Sequence, residues 1–323
     1  MGRHTAASGR TLEQKIADAG PTNQRIEPVY LTVARRALEK DGVVSRMARG
    51  GLPWYFLSTA NASSVDARIA EQLVVHEAVS NIHVNKRVGQ ALEIAIIRAM
   101  RREKYKYFGD FRDLDSHDDS SPYSRIEPPI AIGGRFTDGP VDFIAEVAND
   151  WVAIEAKNVR PWIYPTQRDE LMPLLRRAVE LDVVPVLIAR RIPYVTFSEV
   201  FRPCGVLMHQ TYNQLYPFSA ADLAKLAAQK DLLGYHDIRV GNDPDKRLSD
   251  FFGKNLPMLV KDARRRFDEH KDLLLMLALG ELNYLSFHVE LRKRLGIYVD
   301  GNYEADDSGL EGPEYDEYLD DDE

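Results

Sequence analysis

The sequence predicts an α/β protein with a small N-terminal helix–hairpin domain and a helical C-terminal part. Three observations lead there. Between residues 84 and 191 the apolar residues switch repeatedly from helical spacing to strand-like runs. A helix followed at once by a hairpin pattern occupies residues 28–58. Residues 256–295 are helical in pattern, with LLLMLALGELNYL their most apolar part. At 323 residues, 44% hydrophobic and 28% charged, the chain has room for two domains and a sizeable core.

In chain order, TLEQKIADA (residues 11–19) reads as a short helix capped by Thr11 and stopped by Gly20-Pro21. A second helix runs from Pro28 to Lys40, with Tyr30, Ala34, Ala37 and Leu38 on one side and Arg35 and Arg36 towards solvent. GVVSRMARGGLPWYFLS (42–58) gives two strands around Arg49-Gly50-Gly51. This helix and hairpin resemble the later half of a winged helix-turn-helix domain. The resemblance implies a helix in the DNA major groove and a wing whose Arg46 and Arg49 reach phosphates. Residues 1–60 hold nine Lys or Arg against five acids, in keeping with that role. The competing reading is a small module that packs on the main domain and binds nothing.

A helical pattern over 64–80 connects this module to a helix near 84–103. Residues 109–138, rich in Gly, Asp, Ser and Pro, predict a short strand near 129–132 and a mobile loop around DSHDDSSPYS. A hairpin over 139–158, a helix over 167–181 and a buried strand VVPVLIARR (183–191) follow. The expected division is a module over 1–60, a linker helix over 61–83, a core over 84–240, a helical extension over 241–299 and a tail from 300.

The hairpin GPVDFIAEVANDWVAIEAKN (139–158) carries charge where buried strands are apolar. Folding it at Ala148-Asn149-Asp150 brings Asp142 opposite the neighbourhood of Glu155 and Lys157. Side chains alternate along a strand, so Glu155 and Lys157 share one face while Ile154 and Ala156 share the other. Two adjacent carboxylates repel and are costly to desolvate, so the pair calls for a cation. Oxygen donors of this kind suit Mg²⁺, with a nearby lysine to orient water or stabilise phosphate charge.

Asp142, a spacer of twelve residues, then Glu155-Ala156-Lys157 resembles the signature of the PD-(D/E)xK, or restriction-endonuclease-like, nuclease superfamily. Pro140-Val141-Asp142 departs from the literal Pro-Asp pair. The resemblance implies a central mixed sheet flanked by helices over about residues 84–215, and phosphodiester hydrolysis with Mg²⁺ or Mn²⁺. It further implies a glutamate on the preceding helix, a place that Glu93 fits. Glu93 also stands out by itself: Leu92, Ile94, Ala95, Ile96 and Ile97 surround it, and a buried carboxylate needs a partner. Glu93, Asp142 and Glu155 are thus the candidate metal ligands, with Lys157 the fourth candidate catalytic residue.

Gln167 and Tyr164 follow the strand at the next helix entry, where Gln167 would hold a water or phosphate or simply cap the helix. Asn158 reads as a strand terminator and Glu146 as a solvated strand residue. His76, His83 and His209 lack metal-ligand spacing. Arg98, Arg101 and Arg102, and separately Arg264, Arg265 and Arg266, would either face a nucleic-acid backbone or lie on solvated helix faces. Gly133-Gly134 matches no phosphate-binding loop.

The net charge of −8 divides unevenly. Twelve acids and no Lys or Arg lie beyond residue 299; without them 42 basic stand against 38 acidic residues, a net of +4. Such a tail is expected to be disordered, either a solubiliser or a mimic of nucleic-acid charge. A single cysteine, no apolar run of membrane-spanning length and no apolar leader point to a cytoplasmic protein. The function expected is a metal-dependent nuclease acting on DNA, RNA not excluded, in defence, restriction or repair. The rival is a non-catalytic DNA-binding regulator on the same scaffold, and the C-terminal helices are a candidate surface for a homodimer or partner protein.

Overall fold

The computed structural model describes residues 5–9, 11–12, 28–117, 119, 121–163 and 168–297. They form two compact units. Among the described residues, the first takes those up to Asn85 together with Ala220–Ile238, and the second takes Lys86–Ser219 with residues 239–297. Most of the helix expected at 11–19, Tyr164, Gln167 and the acidic tail lie outside the described residues.

The first unit contains β1 (Ala6–Ser8), α1 (Pro28–Lys40), β2 (Val44–Arg49), β3 (Leu52–Leu57) and α2 (Ala62–Ser80). Its strands pair antiparallel in the order β1-β3-β2. The β2–β3 turn uses Gly50 and Gly51, both at positive φ, which glycine adopts without steric cost. Trp54, Val65 and Ile69 fill the core, and the indole N–H of Trp54 donates to the Arg49 carbonyl at 2.9 Å. Asn61 caps α2 by accepting from the Ser64 N–H, and Gln72 ties α2 to the Ala6 carbonyl at 2.8 Å. Val75 at the other end of α2 packs with Ala227, Leu233 and Tyr235.

The apolar side expected on α1 is instead exposed: Tyr30 is 67% and Leu38 43% accessible, and Ala34 and Ala37 are also open. Thr32 is the buried residue, and Arg35 lies 4.4 Å from the Tyr55 ring centroid rather than out in solvent. Helical spacing identifies a stripe but not what packs on it. Here the sheet meets the Thr32–Arg35 side, because a guanidinium stacks on an exposed ring face and its stem buries well.

The second unit holds α3 (Ile82–Arg102, from Lys86), β4 (Lys106–Phe108), β5 (Ala131–Ile132), β6 (Arg135–Phe136), β7 (Phe143–Val147) and β8 (Asp150–Lys157). It continues through α4 (Arg168–Leu181), β9 (Val184–Ala189), β10 (Leu207–Gln210), α5 (Leu256–Leu279) and α6 (Tyr284–Arg294). A mixed five-stranded sheet in the order β10-β9-β8-β7-β4 is its centre. β4, β7 and β8 are antiparallel neighbours, whereas β8, β9 and β10 run parallel. The sheet is covered on both faces. Val152, Ile154, Val186 and Ile188 pack with Leu92 and Ile96 of α3 on one side. Ile144, Ala153 and Leu187 pack with Leu171 and Leu175 of α4 and Phe267 and Leu274 of α5 on the other. Every residue of β9 is buried, which is why that strand shows no alternation.

The helical C-terminal part is present, broken at Gly280, whose left-handed φ of 77° ends α5. Leu256, Val260, Ala263, Phe267, Leu273, Leu274 and Leu277 of α5 are core, whereas Met258, Leu259 and Leu279 are exposed. Arg264, Arg265 and Arg266 pair with Asp182, Asp262, Asp268 and Glu269, and Arg101 pairs with Asp110 and Asp115. Gly133-Gly134 is the tight turn between β5 and β6. Among the described residues no helix is long and apolar enough to cross a membrane.

Candidate active site

The charged hairpin is β7–β8. Ala148 and Asn149 both sit at positive φ, a two-residue turn whose twist matches the strands it joins. Phe143 pairs with Ile154, so the next position brings Asp142 opposite Glu155. The Asp142 Oδ2 accepts from the Ala156 backbone N–H at 2.8 Å, locking the carboxylate across the hairpin's open end. Close approach of another backbone completes the position. A Cβ on Gly109, at φ 96°, would lie 2.3 Å from the Asp142 carbonyl oxygen.

Glu155 and Lys157 project from the same face of β8, with the ammonium 3.3 Å from the Glu155 Oε1. Their side chains are 14% and 22% exposed. Glu93 enters from α3 with a side chain 16% exposed. The centre thus gathers all four residues singled out by sequence. Its electrostatics are strained. Burial, then the Asp142 carboxylate, pushes Glu93 up to about 7, against the pull of Arg125 and Lys157. The same two causes push Glu155 up to about 7, opposed by Lys157 and Arg177. Two buried acids raised by a third carboxylate mark a cluster whose own cations do not fully balance it.

Arg125 was not legible in the sequence. Its guanidinium lies 3.0 Å from the Asp142 Oδ1 and 3.4 Å from the Glu93 Oε2, and donates to the Asp142 carbonyl at 3.1 Å. It also lies 5.5 Å from the Phe143 ring centroid. It comes from the Gly- and Ser-rich segment expected to be a mobile loop. Described residues of that segment are fastened instead: Asp119 pairs with Arg87, and Gln90 bonds both the N–H and the carbonyl of Tyr123. Aperiodic sequence hides such tethers, because they depend on single long-range contacts.

The donor set is all oxygen, which suits a hard divalent cation such as Mg²⁺ or Mn²⁺. The raised pKa values of Glu93 and Glu155 point the same way, since added positive charge would relieve them. Among the described residues, however, no three or more His, Cys, Asp or Glu side chains form a ready-made metal cage. Arg125 spans Glu93 and Asp142, and Lys157 engages Glu155.

Other candidates have structural partners. Asn158 is a buried bolt: its amide donates to the Val88 and Leu215 carbonyls and accepts from the Leu215 N–H. Glu146 pairs with Lys106 across the β7–β4 edge, and His76 meets the Ser80 hydroxyl. In the first unit Arg36, Arg46 and Arg49 are exposed, with Arg49 3.4 Å from Asp66. No protein-family model, curated protein or solved structure matches the chain.

Proposed function

We propose that the second unit is a metal-dependent nuclease with a restriction-endonuclease-like core, hydrolysing phosphodiester bonds in DNA, with RNA the lesser alternative. The first unit acts as a winged-helix-like module that places it on nucleic acid through Arg36, Arg46 and Arg49. The observation that carries the reading is the register that sets Asp142 opposite Glu155, two residues from Lys157 and beside buried Glu93. Glu93, Asp142 and Glu155 would hold Mg²⁺ or Mn²⁺, with Arg125 competing for two of them. Held there, such an ion would supply an acidified water and a polarised phosphate oxygen. The Lys157 ammonium orients the attacking water and stabilises charge developing on the phosphate. Burial of Glu93 and Glu155 excludes bulk water and strengthens each of these interactions. A role in defence, restriction or repair in the cytoplasm suits such an enzyme.

The test is cleavage of supercoiled plasmid, linear duplex, single-stranded DNA and RNA with Mg²⁺, Mn²⁺ or EDTA. Metal-dependent cutting that Glu155→Ala and Lys157→Ala both lose is the expected result. Full cutting by both purified variants would sink the assignment. One observation favours a second reading, a non-catalytic DNA-binding scaffold: Arg125 already supplies the carboxylates with a cation. A ligand bound only by the folded state must raise its stability. Unchanged thermal unfolding at millimolar Mn²⁺ would therefore favour the scaffold.

A further inference from the structure

A cavity of about 330 Å³ lies beyond the far edge of the parallel strands. Lys157, Ala189 and Gln210 are register partners across β8, β9 and β10, so these strands end at one level. At about 4.8 Å per strand, Gln210 at the cavity wall is about 10 Å from the Lys157 backbone. The carboxyl ends of parallel strands are where α/β sheets present ligands.

Three independent features converge on this cavity. Two π-helical turns, Val195–Phe201 and Phe251–Asn255, contribute Phe197 and Asn255 to its lining. Such turns are rare and cluster at functional sites. Tyr212, also in the lining, holds a left-handed φ of 62°, which costs a residue with a side chain about 1–3 kcal/mol. Its backbone N–H donates to the Arg190 carbonyl, which fixes that geometry. Finally, His209 stacks on Phe251 at 4.5 Å between centroids, and its Nε2 is buried without a hydrogen-bond partner. A buried polar atom left unsatisfied is expensive, so the backbone around His209 is held against a cost.

The charged lining defines the ligand. The exposed Arg247 guanidinium lies 4.6 Å from the Tyr212 ring centroid, and Arg191 lies 5.0 Å from the same ring. Arg247 lines the cavity and Arg191 does not; the lining also holds the Asp250 carboxylate, which pairs with Lys246 and Lys254. The rest of the lining includes the Phe197 ring, the Gln210 and Asn255 amides and the His209 imidazole. Gln210 already accepts from the Ile192 N–H, so its amide is held in place.

We propose that this cavity is a nucleotide subsite: it takes one nucleobase between Phe197 and the Gln210 and Asn255 amides, with Arg247 on the attached phosphate. The occupant is either a nucleotide unit of the strand cut at the Lys157 end of the sheet or a free mononucleotide. The first source rests on the nuclease reading, and the second does not.

The experiment uses the full chain and Arg247→Gln in EDTA, with Asn255→Ala as a second exposed variant and circular dichroism to verify folding. A fluorescein-labelled single-stranded oligonucleotide is titrated by anisotropy across a salt series. Thermal unfolding is followed with each of the four deoxynucleoside monophosphates. A strand subsite predicts an affinity loss of about tenfold in Arg247→Gln, with the salt slope smaller by about one. A free-nucleotide subsite predicts a thermal shift with a monophosphate that both variants lose. Wild-type behaviour of both variants in both assays, or no binding of either probe by the natural chain, overturns the proposal. Metal-dependent plasmid cutting with unaltered Arg247→Gln binding would remove the subsite and leave the nuclease. A monophosphate shift without any cutting would do the reverse.

Discussion

The hairpins β2–β3 and β7–β8 both carry charged side chains within their strands, and the chain treats them oppositely. In β2–β3, Arg46 and Arg49 stand exposed, and the contact of Arg49 with Asp66 is a solvent-facing pair at 3.4 Å. Such pairs contribute between nothing and about 1 kcal/mol. In β7–β8, Asp142 and Glu155 are brought together out of water, with Glu93 and the cations Arg125 and Lys157 around them. Desolvation there is costly enough to lift two carboxyls to about 7. Surface charge is free to be anything, whereas buried like charge persists against its own cost. The second hairpin is therefore where function is to be sought.

The sharpest way to break this contrast is Gly109→Ala. The added Cβ would meet the Asp142 carbonyl oxygen at 2.3 Å from a backbone at φ 96°. Neither atom belongs to a flexible side chain, so the expected loss is at least about 4 kcal/mol. Chemical denaturation would read it, and a loss under about 1 kcal/mol would mean that the site backbone is not held as described. Asn158→Ala comes next. It strands the Val88 and Leu215 carbonyls and the Leu215 N–H, at about 2–4 kcal/mol. For a unit of this size that lowers Tm by roughly 5–15 °C.

The third prediction concerns pH. Glu93 and Glu155 titrate near 7 in the fold against 4.5 when unfolded, so the folded state holds extra protons between those values. The stability they supply is full below about pH 4.5 and is lost as pH rises through about 7. In EDTA, Glu155→Gln removes one of the two titrations. Its advantage over the natural chain should therefore grow from pH 5 to pH 8, reaching on the order of 1–3 kcal/mol. A difference independent of pH would show that Glu155 carries no raised pKa.

Much of this was legible in the sequence, and the reason lies in periodicity. The turn at Ala148-Asn149, the register of Asp142 with Glu155 and the burial of Glu93 all follow from local patterns repeated every two or 3.6 residues. The buried run of β9 is equally local, whereas the break at Gly280 inside the helical pattern over 256–295 was not foreseen. Arg125, the role of Asn158 and the fastening of Asp119 by Arg87 were hidden, because each depends on one contact between distant segments. The exposed side of α1 was misjudged for a related reason. A stripe of Tyr30, Ala34, Ala37 and Leu38 fixes a direction around the helix, but only the fold decides that the sheet lies against Thr32 and Arg35.

The smallest effect on stability belongs to the first hairpin, and it separates the two readings of that module. Arg46→Ala and Arg49→Ala each remove an exposed charge, so each should change unfolding free energy by no more than about 0.5 kcal/mol. If the hairpin is a DNA-contacting wing, either change weakens duplex binding at low salt whatever the sequence, and lowers the salt slope by about one. Lys157→Ala, by contrast, should abolish cutting while leaving that slope at the natural value. If the arginines only solvate a packing module, duplex affinity and its salt dependence stay as they were. Fluorescence anisotropy on one duplex over 50–200 mM salt, a range across which phosphate contacts lose most of their affinity, distinguishes the two.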